Sequence, residues 1–173
     1  MAVLGALSIE PMSGYALREA IRDVLGHFWN ESFGQIYPAL TQLEQQGFVT
    51  RQLGTRAGSS VYSLTPSGRA RLHALLSTPI QSPPPRNGLL LRLFFGRALG
   101  AAACRKLVAA AREESAARLA AFAEIRRATA AEGGIDPYMG VTLSLGEHLA
   151  RAVLAWADET FETLSRLPDE PGK

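Results

Sequence analysis

The sequence predicts a mainly helical, α+β chain in two parts: a small domain of helices and one β-hairpin, then a purely helical region. Three observations lead there. Apolar residues recur at three- and four-residue steps over most of the 173 positions. Two short runs rich in β-branched and aromatic residues, 48–53 and 61–64, interrupt that helical pattern. Four prolines and a glycine between residues 77 and 88 divide the chain.

Residues 2–9 are apolar and closed by Glu10-Pro11, which suits a first helix. Ser13 stands where an N-cap is wanted. Behind it Leu17, Ile21, Val24 and Leu25 line one side of a second helix that ends near Gly26, with Arg18, Glu19, Arg22 and Asp23 opposite. The third helix starts late, around Ser32 to Gly34, capped by Ser32 or a neighbour. Proline in a helix interior costs ~3 kcal/mol, and a late start leaves Pro38 in the first turns where its missing donor costs least. Phe33, Ile36, Leu40 and Leu43 form the stripe of this helix, and Gly47 ends it. The two strands are joined by the polar tip Gly54 to Ser60. Thr65-Pro66 starts a fourth helix, threonine as cap and proline at the first helical position, with Leu72, Leu75 and Leu76 as its apolar face.

These elements place one domain at residues 1–78, a proline-rich linker at 79–88 and a helical region at 89–173. The helical region comprises a short apolar helix (89–99), a long one (101–132) and, after Gly133-Gly134, a last helix (136–167). The long helix carries Val108, Ala111, Leu119, Phe122 and Ile125 on one side. The last carries Tyr138, Leu145, Leu149, Ala152 and Trp156, widened by Leu154, Phe161 and Leu164. Stripes that wide exceed the partner surface of a single protomer and point to dimerisation through Leu145, Leu149, Trp156 and Phe161.

Charge and composition narrow the function without naming it. The 18 basic and 16 acidic residues give a net charge of +2. Before residue 78 six arginines face five acids, so a local patch would have to carry any phosphate binding. The single Cys104 suits a reducing cytoplasm. No signal peptide is recognisable, and the most apolar run, Leu89 to Cys104, is too short and too charged to span a bilayer. His27, His73 and His148 show no metal-ligand spacing, and there is no phosphate-binding glycine loop. Cys104 has no histidine nearby in sequence. An enzyme, a metal site and a cofactor are therefore not expected.

Three helices, a two-stranded hairpin and a fourth helix follow the order of a winged helix-turn-helix, whose third helix enters the DNA major groove. Its outward face would hold Gly34, Pro38, Thr41, Gln42 and Gln45, flanked by Gln35 and Tyr37. That set has no acid and is rich in amides, which pair with adenine edges, while threonine meets thymine methyls. Each glutamine is equally at home as solvated surface, and Tyr37 borders the buried side. Arg56 at the hairpin tip is the first candidate for a phosphate, and Arg51 on the strand the second.

The residues also resemble the PadR family of bacterial transcriptional regulators. The resemblance rests on Leu4-Gly5-Ala6-Leu7, Ser13-Gly14-Tyr15-Ala16-Leu17, Gly34-Gln35-Ile36-Tyr37-Pro38-Ala39-Leu40, Leu43-Glu44, Gly47-Phe48-Val49 and Tyr62-Ser63-Leu64-Thr65-Pro66-Ser67-Gly68. Leu89 to Phe95 resembles the start of the helical region in the larger members. The resemblance implies a homodimer with C-terminal helices packed across the two-fold axis, bound to an inverted-repeat operator, usually as a repressor. It implies that Tyr37, the helix around Gln35 to Gln42 and the hairpin tip approach double-stranded DNA, and that the helix start at Ser13-Gly14-Tyr15 donates to a phosphate. Family hairpins often carry basic residues before the tyrosine matched by Tyr62. Here Ser59 and Ser60 stand there, so the wing would rest on Arg56. Phe94, Phe95, Phe161 and Trp156 serve either as core packing or as walls of a pocket for a small aromatic effector. The alternative to DNA binding is a winged-helix protein–protein adaptor.

Overall fold

A computed structural model of the chain describes residues 1–22, 33–53, 60–80, 86–131 and 133–171. It divides into two compact units, Met1–Ser82 and Pro83–Lys173.

The first unit runs α1 (Ala2–Ile9), β1 (Met12–Ser13), α2 (Gly14–Ala20), a 3₁₀ turn (Phe33–Gln35), α3 (Ile36–Gln45), β2 (Val49–Leu53), β3 (Ser60–Leu64) and α4 (Pro66–Leu76). Ser13 and Thr65 cap α2 and α4, their hydroxyls accepting from the amides of Ala16 and Gly68. Pro38 is the third residue of α3, inside the first turn, where no intrahelical donor is lost. Gly47 ends α3 with φ 73°, a left-handed conformation that glycine adopts without a Cβ penalty. Ser32 and Gly26 lie outside the described residues; Gln35 is the residue before α3 and makes no side-chain cap.

The expected wing had two strands, whereas the sheet has three in the order β1-β3-β2, all antiparallel. Met12 and Ser13 pair with Tyr62 and Val61. Two residues show no periodicity, and only the fold brings them to the free edge of β3. Leu4, Leu17, Ile21, Ile36, Leu40 and Val49 are fully buried in one core beneath this sheet and the helices, each contributing roughly 1.5–3 kcal/mol. Leu72 joins that core and Leu75 packs against it, but Leu76, expected on the same face, is 65% exposed.

The second unit contains α5 (Gly88–Phe94), a 3₁₀ turn (Gly96–Ala98), α6 (Ala101–Ala131) and α7 (Pro137–Ser165). The short helix expected over 89–99 therefore tightens into 3₁₀ geometry at its end. Gly133 and Gly134, both with φ above 100°, form the reversal between α6 and α7. Asp136 caps α7 by accepting from the amides of Tyr138 and Met139. The two long helices then pair along their length. Leu143, Ala150, Ala157 and Leu164 are the buried residues of α7, seven apart, and face Cys104, Val108, Ser115 and Phe122 on α6. Seven-residue recurrence of small and aliphatic residues is the signature of a coiled-coil seam. Glu147 of α7 accepts from Arg126 of α6 and from Arg151, and chiefly the Arg126 hydrogen bond holds its carboxyl below the usual carboxylate range.

Candidate nucleic-acid interface and the faces of the helical arm

Helix α3 separates its residues by chemistry. Ile36 and Leu40 are 1% exposed, and Ala39 and Leu43 pack against the same core. Tyr37, Pro38, Thr41, Gln42 and Gln45 are all exposed, with Gln35 exposed just before the helix. The Thr41 hydroxyl donates to the Tyr37 carbonyl at 3.1 Å, which restrains its rotamer. Glu44 is exposed too, in the last turn of α3. The acid-free face foreseen from sequence therefore ends at a carboxylate on its flank.

Tyr37 belongs to this surface more than to the core, being 53% exposed. The Cε1 and hydroxyl end of its ring stands over Gly14, the first residue of α2 and itself buried. A Cβ at position 14 would lie 2.7 Å from Tyr37 Cε1, 3.3 Å from Cζ and 3.4 Å from the hydroxyl oxygen. The sequence marked Gly14 only as part of a motif; its place beneath Tyr37 is a tertiary fact. Tyr15 next to it is 66% exposed, and the Ser13 hydroxyl is engaged in the cap of α2.

On the hairpin, Arg51 is exposed and its Nε donates to Ser60 Oγ at 2.8 Å, which aligns the guanidinium across β2 and β3. Arg56 and Ser59 lie outside the described residues, as does Ser32. Arg69 and Arg71 on α4 are further exposed cations that the sequence reading did not single out.

In the second unit the residues expected at a dimer interface fall into two groups. Leu145 and Leu149 are 62% and 59% exposed, in line with exposed Tyr138 and Val141 on the same helix. Trp156 and Phe161 instead pack against the intrachain cluster of Cys104, Val108, Ala157 and Leu164. Those two are anchored within the protomer because α7 turns their side toward α6.

Trp156 also walls a cavity of about 750 Å³ with Leu90, Leu93, Phe94, Cys104 and Leu164, and with the charged Arg97 and Glu170. Phe95, expected among the pocket residues, is absent from this lining and meets Phe94 edge to face at 5.2 Å between ring centres. Among the described residues no group of His, Cys, Asp and Glu side chains is arranged to hold a metal, and no helix is long and apolar enough to cross a membrane.

Comparison with known proteins follows the same division. Residues 3–74 match the transcriptional regulator PadR-like family, and residues 85–165 match the virulence activator alpha C-terminal region. The negative transcriptional regulator PadR of Bacillus subtilis is 39% identical over 75 residues, a match covering 42% of this chain and 41% of that protein. A probable transcriptional regulator of Mycobacterium tuberculosis is 27% identical across 94% of this chain and 95% of its own length. Among solved structures, the PadR-like regulator BC1756 of Bacillus cereus superposes with a TM-score of 0.83 at 27% identity, covering 94% of this chain and 95% of that one. The B. subtilis PadR structure in complex with operator DNA has a TM-score of 0.82 at 24% identity, covering 94% and 95% of the two chains. The same PadR in complex with p-coumaric acid has a TM-score of 0.75 at 23% identity, covering 95% and 97%. At those identities the two complexes show a shared fold. Both halves of the sequence, in the order and geometry described above, make this chain a member of the PadR-like family of transcriptional regulators, which are not enzymes.

Proposed function

We propose that the chain acts in the cytoplasm as a homodimeric repressor that binds an inverted-repeat operator and is released by a small aromatic effector. The observation that carries the reading is the division of α3, apolar edge buried and Thr41, Gln42 and Gln45 bare. A helix with that outward face fits the major groove and reads adenine and thymine edges. Tyr37 and Pro38 border the groove, with Gln35 at the helix start. Arg51, Arg56 and Ser59 belong to a wing that follows the phosphates, and Ser13, Tyr15 and Ser32 approach the backbone. In this reading residues 1–78 bind DNA, 79–88 tether, and 89–173 dimerise through the Leu145 and Leu149 face. The PadR of B. subtilis, solved with operator DNA and with p-coumaric acid, supports both the DNA and the effector parts.

Selection from a random duplex pool by the purified protein tests the reading. The expected motif is a palindrome with half-sites about one duplex turn, ~34 Å, apart, bound with an affinity that falls steeply as salt rises. Failure to enrich any motif overturns DNA binding, and enrichment of an unrepeated half-site overturns the two-fold assembly. The near-equal charge of residues 1–78 and the exposed Glu44 favour one other reading, a protein–protein adaptor, which the empty selection would support. For the effector, the cavity beside Phe94 and Trp156 falls in the ~300–1,000 Å³ range of small-molecule sites. Titrating p-coumaric acid into a Trp29→Phe variant reads Trp156 alone; quenching together with operator release is expected. Release without quenching would place the effector elsewhere.

A further inference from the structure

We infer that Gly14 is a positioning residue for DNA reading: its missing side chain is the seat that sets where the Tyr37 phenol stands. The inference rests on the proposed reading of α3 as the DNA-facing helix.

Gly14 has no need of glycine's backbone freedom. It lies in α2 and is not among the residues with positive φ. Alanine favours helix over glycine, so local propensity argues against glycine here. The demand comes from space. The backbone of residue 14 is covered by the Tyr37 ring, with an added Cβ only 2.7 Å from Cε1. The crowded atoms are the far end of a half-exposed side chain, so the ring would swing aside while the fold stayed intact.

Three consequences meet at this contact. The end of the ring rests against α2 while its backbone belongs to α3, so Gly14 ties the two helices at their N-terminal ends. The Thr41 hydroxyl bonds to the Tyr37 carbonyl one turn along, so the backbone under the ring is held as well. The Tyr37 hydroxyl has no hydrogen-bond partner among the described residues, and its half-exposed side chain puts an outside acceptor such as a phosphate oxygen within its reach. A phenol whose ring is held in place is preorganised for a contact, which a displaced ring would have to recover at an entropic cost.

The test uses the duplex selected from random sequence by the wild-type protein, with Gly14→Ala, Tyr37→Ala and the double variant. Gly14→Ala should keep or raise the Tm, and its crystal structure should show the Tyr37 ring displaced from residue 14. Its Kd should rise roughly 5- to 20-fold, with Tyr37→Ala weakening binding roughly 10- to 100-fold, as for a hydrogen bond to a charged acceptor. In the double variant Gly14→Ala should add nothing to the loss from Tyr37→Ala, because the seat matters only while the ring is there. Wild-type affinity in Gly14→Ala, or an equal further loss in the double variant, would overturn the inference while DNA reading stands. Wild-type affinity in Tyr37→Ala would overturn it too. A wild-type protein that selects no duplex overturns the DNA reading itself, before any variant is made.

Discussion

Helices α3 and α7 each bury one edge within their own unit and leave another bare, yet the bare edges differ in kind. On α3 the exposed residues are Tyr37, Pro38, Thr41, Gln42, Glu44 and Gln45. On α7 they include Tyr138, Val141, Leu145 and Leu149, at steps of three and four. The first edge is content in water and carries hydrogen-bonding groups that match base edges. The second leaves apolar area in water, at about 25 cal/mol for every Å² that a partner could cover. In the proposed reading the first surface meets DNA and the second meets another copy of the chain. The difference teaches that exposure alone says little about function. Its chemistry decides.

The largest expected effect breaks the α7 side. Leu145→Glu with Leu149→Glu should leave the protomer folded, since neither side chain is buried, and give monomers in sedimentation. Losing the second half-site should weaken operator binding by ~100-fold or more, read by fluorescence anisotropy. A stable dimer in the double variant would place the interface elsewhere. On the α3 side, Gln42→Ala should cost ~1–3 kcal/mol against the selected duplex and relax base preference at one position of each half-site, measured by repeating the selection. A uniform loss across all sequences would make Gln42 a backbone contact.

Smaller effects sharpen the contrast by probing what lies behind α7's bare edge. Gly146 packs on Phe122, with an added Cβ 2.7 Å from ring carbon Cζ, and that ring is 3% exposed. Unlike Tyr37, Phe122 has nowhere to swing, so Gly146→Ala should overpack the α6–α7 seam and lower stability by ~1–3 kcal/mol in chemical denaturation. The smallest concerns Glu147. Because its carboxyl is held below its ordinary value of 4.5, its contribution is complete above that value and fades as pH falls through the lowered one. With Arg126 and Arg151 partly exposed, the contribution is at most ~1 kcal/mol. Glu147→Gln should therefore flatten the acid limb of the Tm profile and leave neutral-pH oligomerisation unchanged.

What the sequence made legible was what local chemistry controls. Ser13, Thr65-Pro66, Gly47 and Gly133-Gly134 announce helix starts and stops through side-chain oxygens and backbone freedom, and all act in those places. The Ile36 and Leu40 stripe of α3 was readable because its polar side is so distinct. Strand β1 was not, because two residues carry no period. Nor were the two edges of α7 distinguishable in advance. Its seam uses Ala150 and Ala157, whose methyl groups give a faint apolar signal, while the bare edge holds the larger leucines. The stripe read from Tyr138 to Trp156 thus mixes residues that face outward with one that packs on α6. The seat at Gly14 depends on a residue 23 positions away in sequence and could not be inferred from either neighbourhood.

The start of α4 carries a consequence for how the first unit holds together. Thr65 and Ser67 both donate through their hydroxyls to the Gly47 carbonyl, at 2.8 and 2.9 Å. The Thr65 amide donates to Phe48, and a Cβ on Gly68 would lie 2.0 Å from the same Phe48 oxygen. The last element of the first unit is thus riveted to the turn that terminates α3. α4 therefore cannot turn against the end of α3 without breaking the Thr65 and Ser67 bonds to the Gly47 carbonyl.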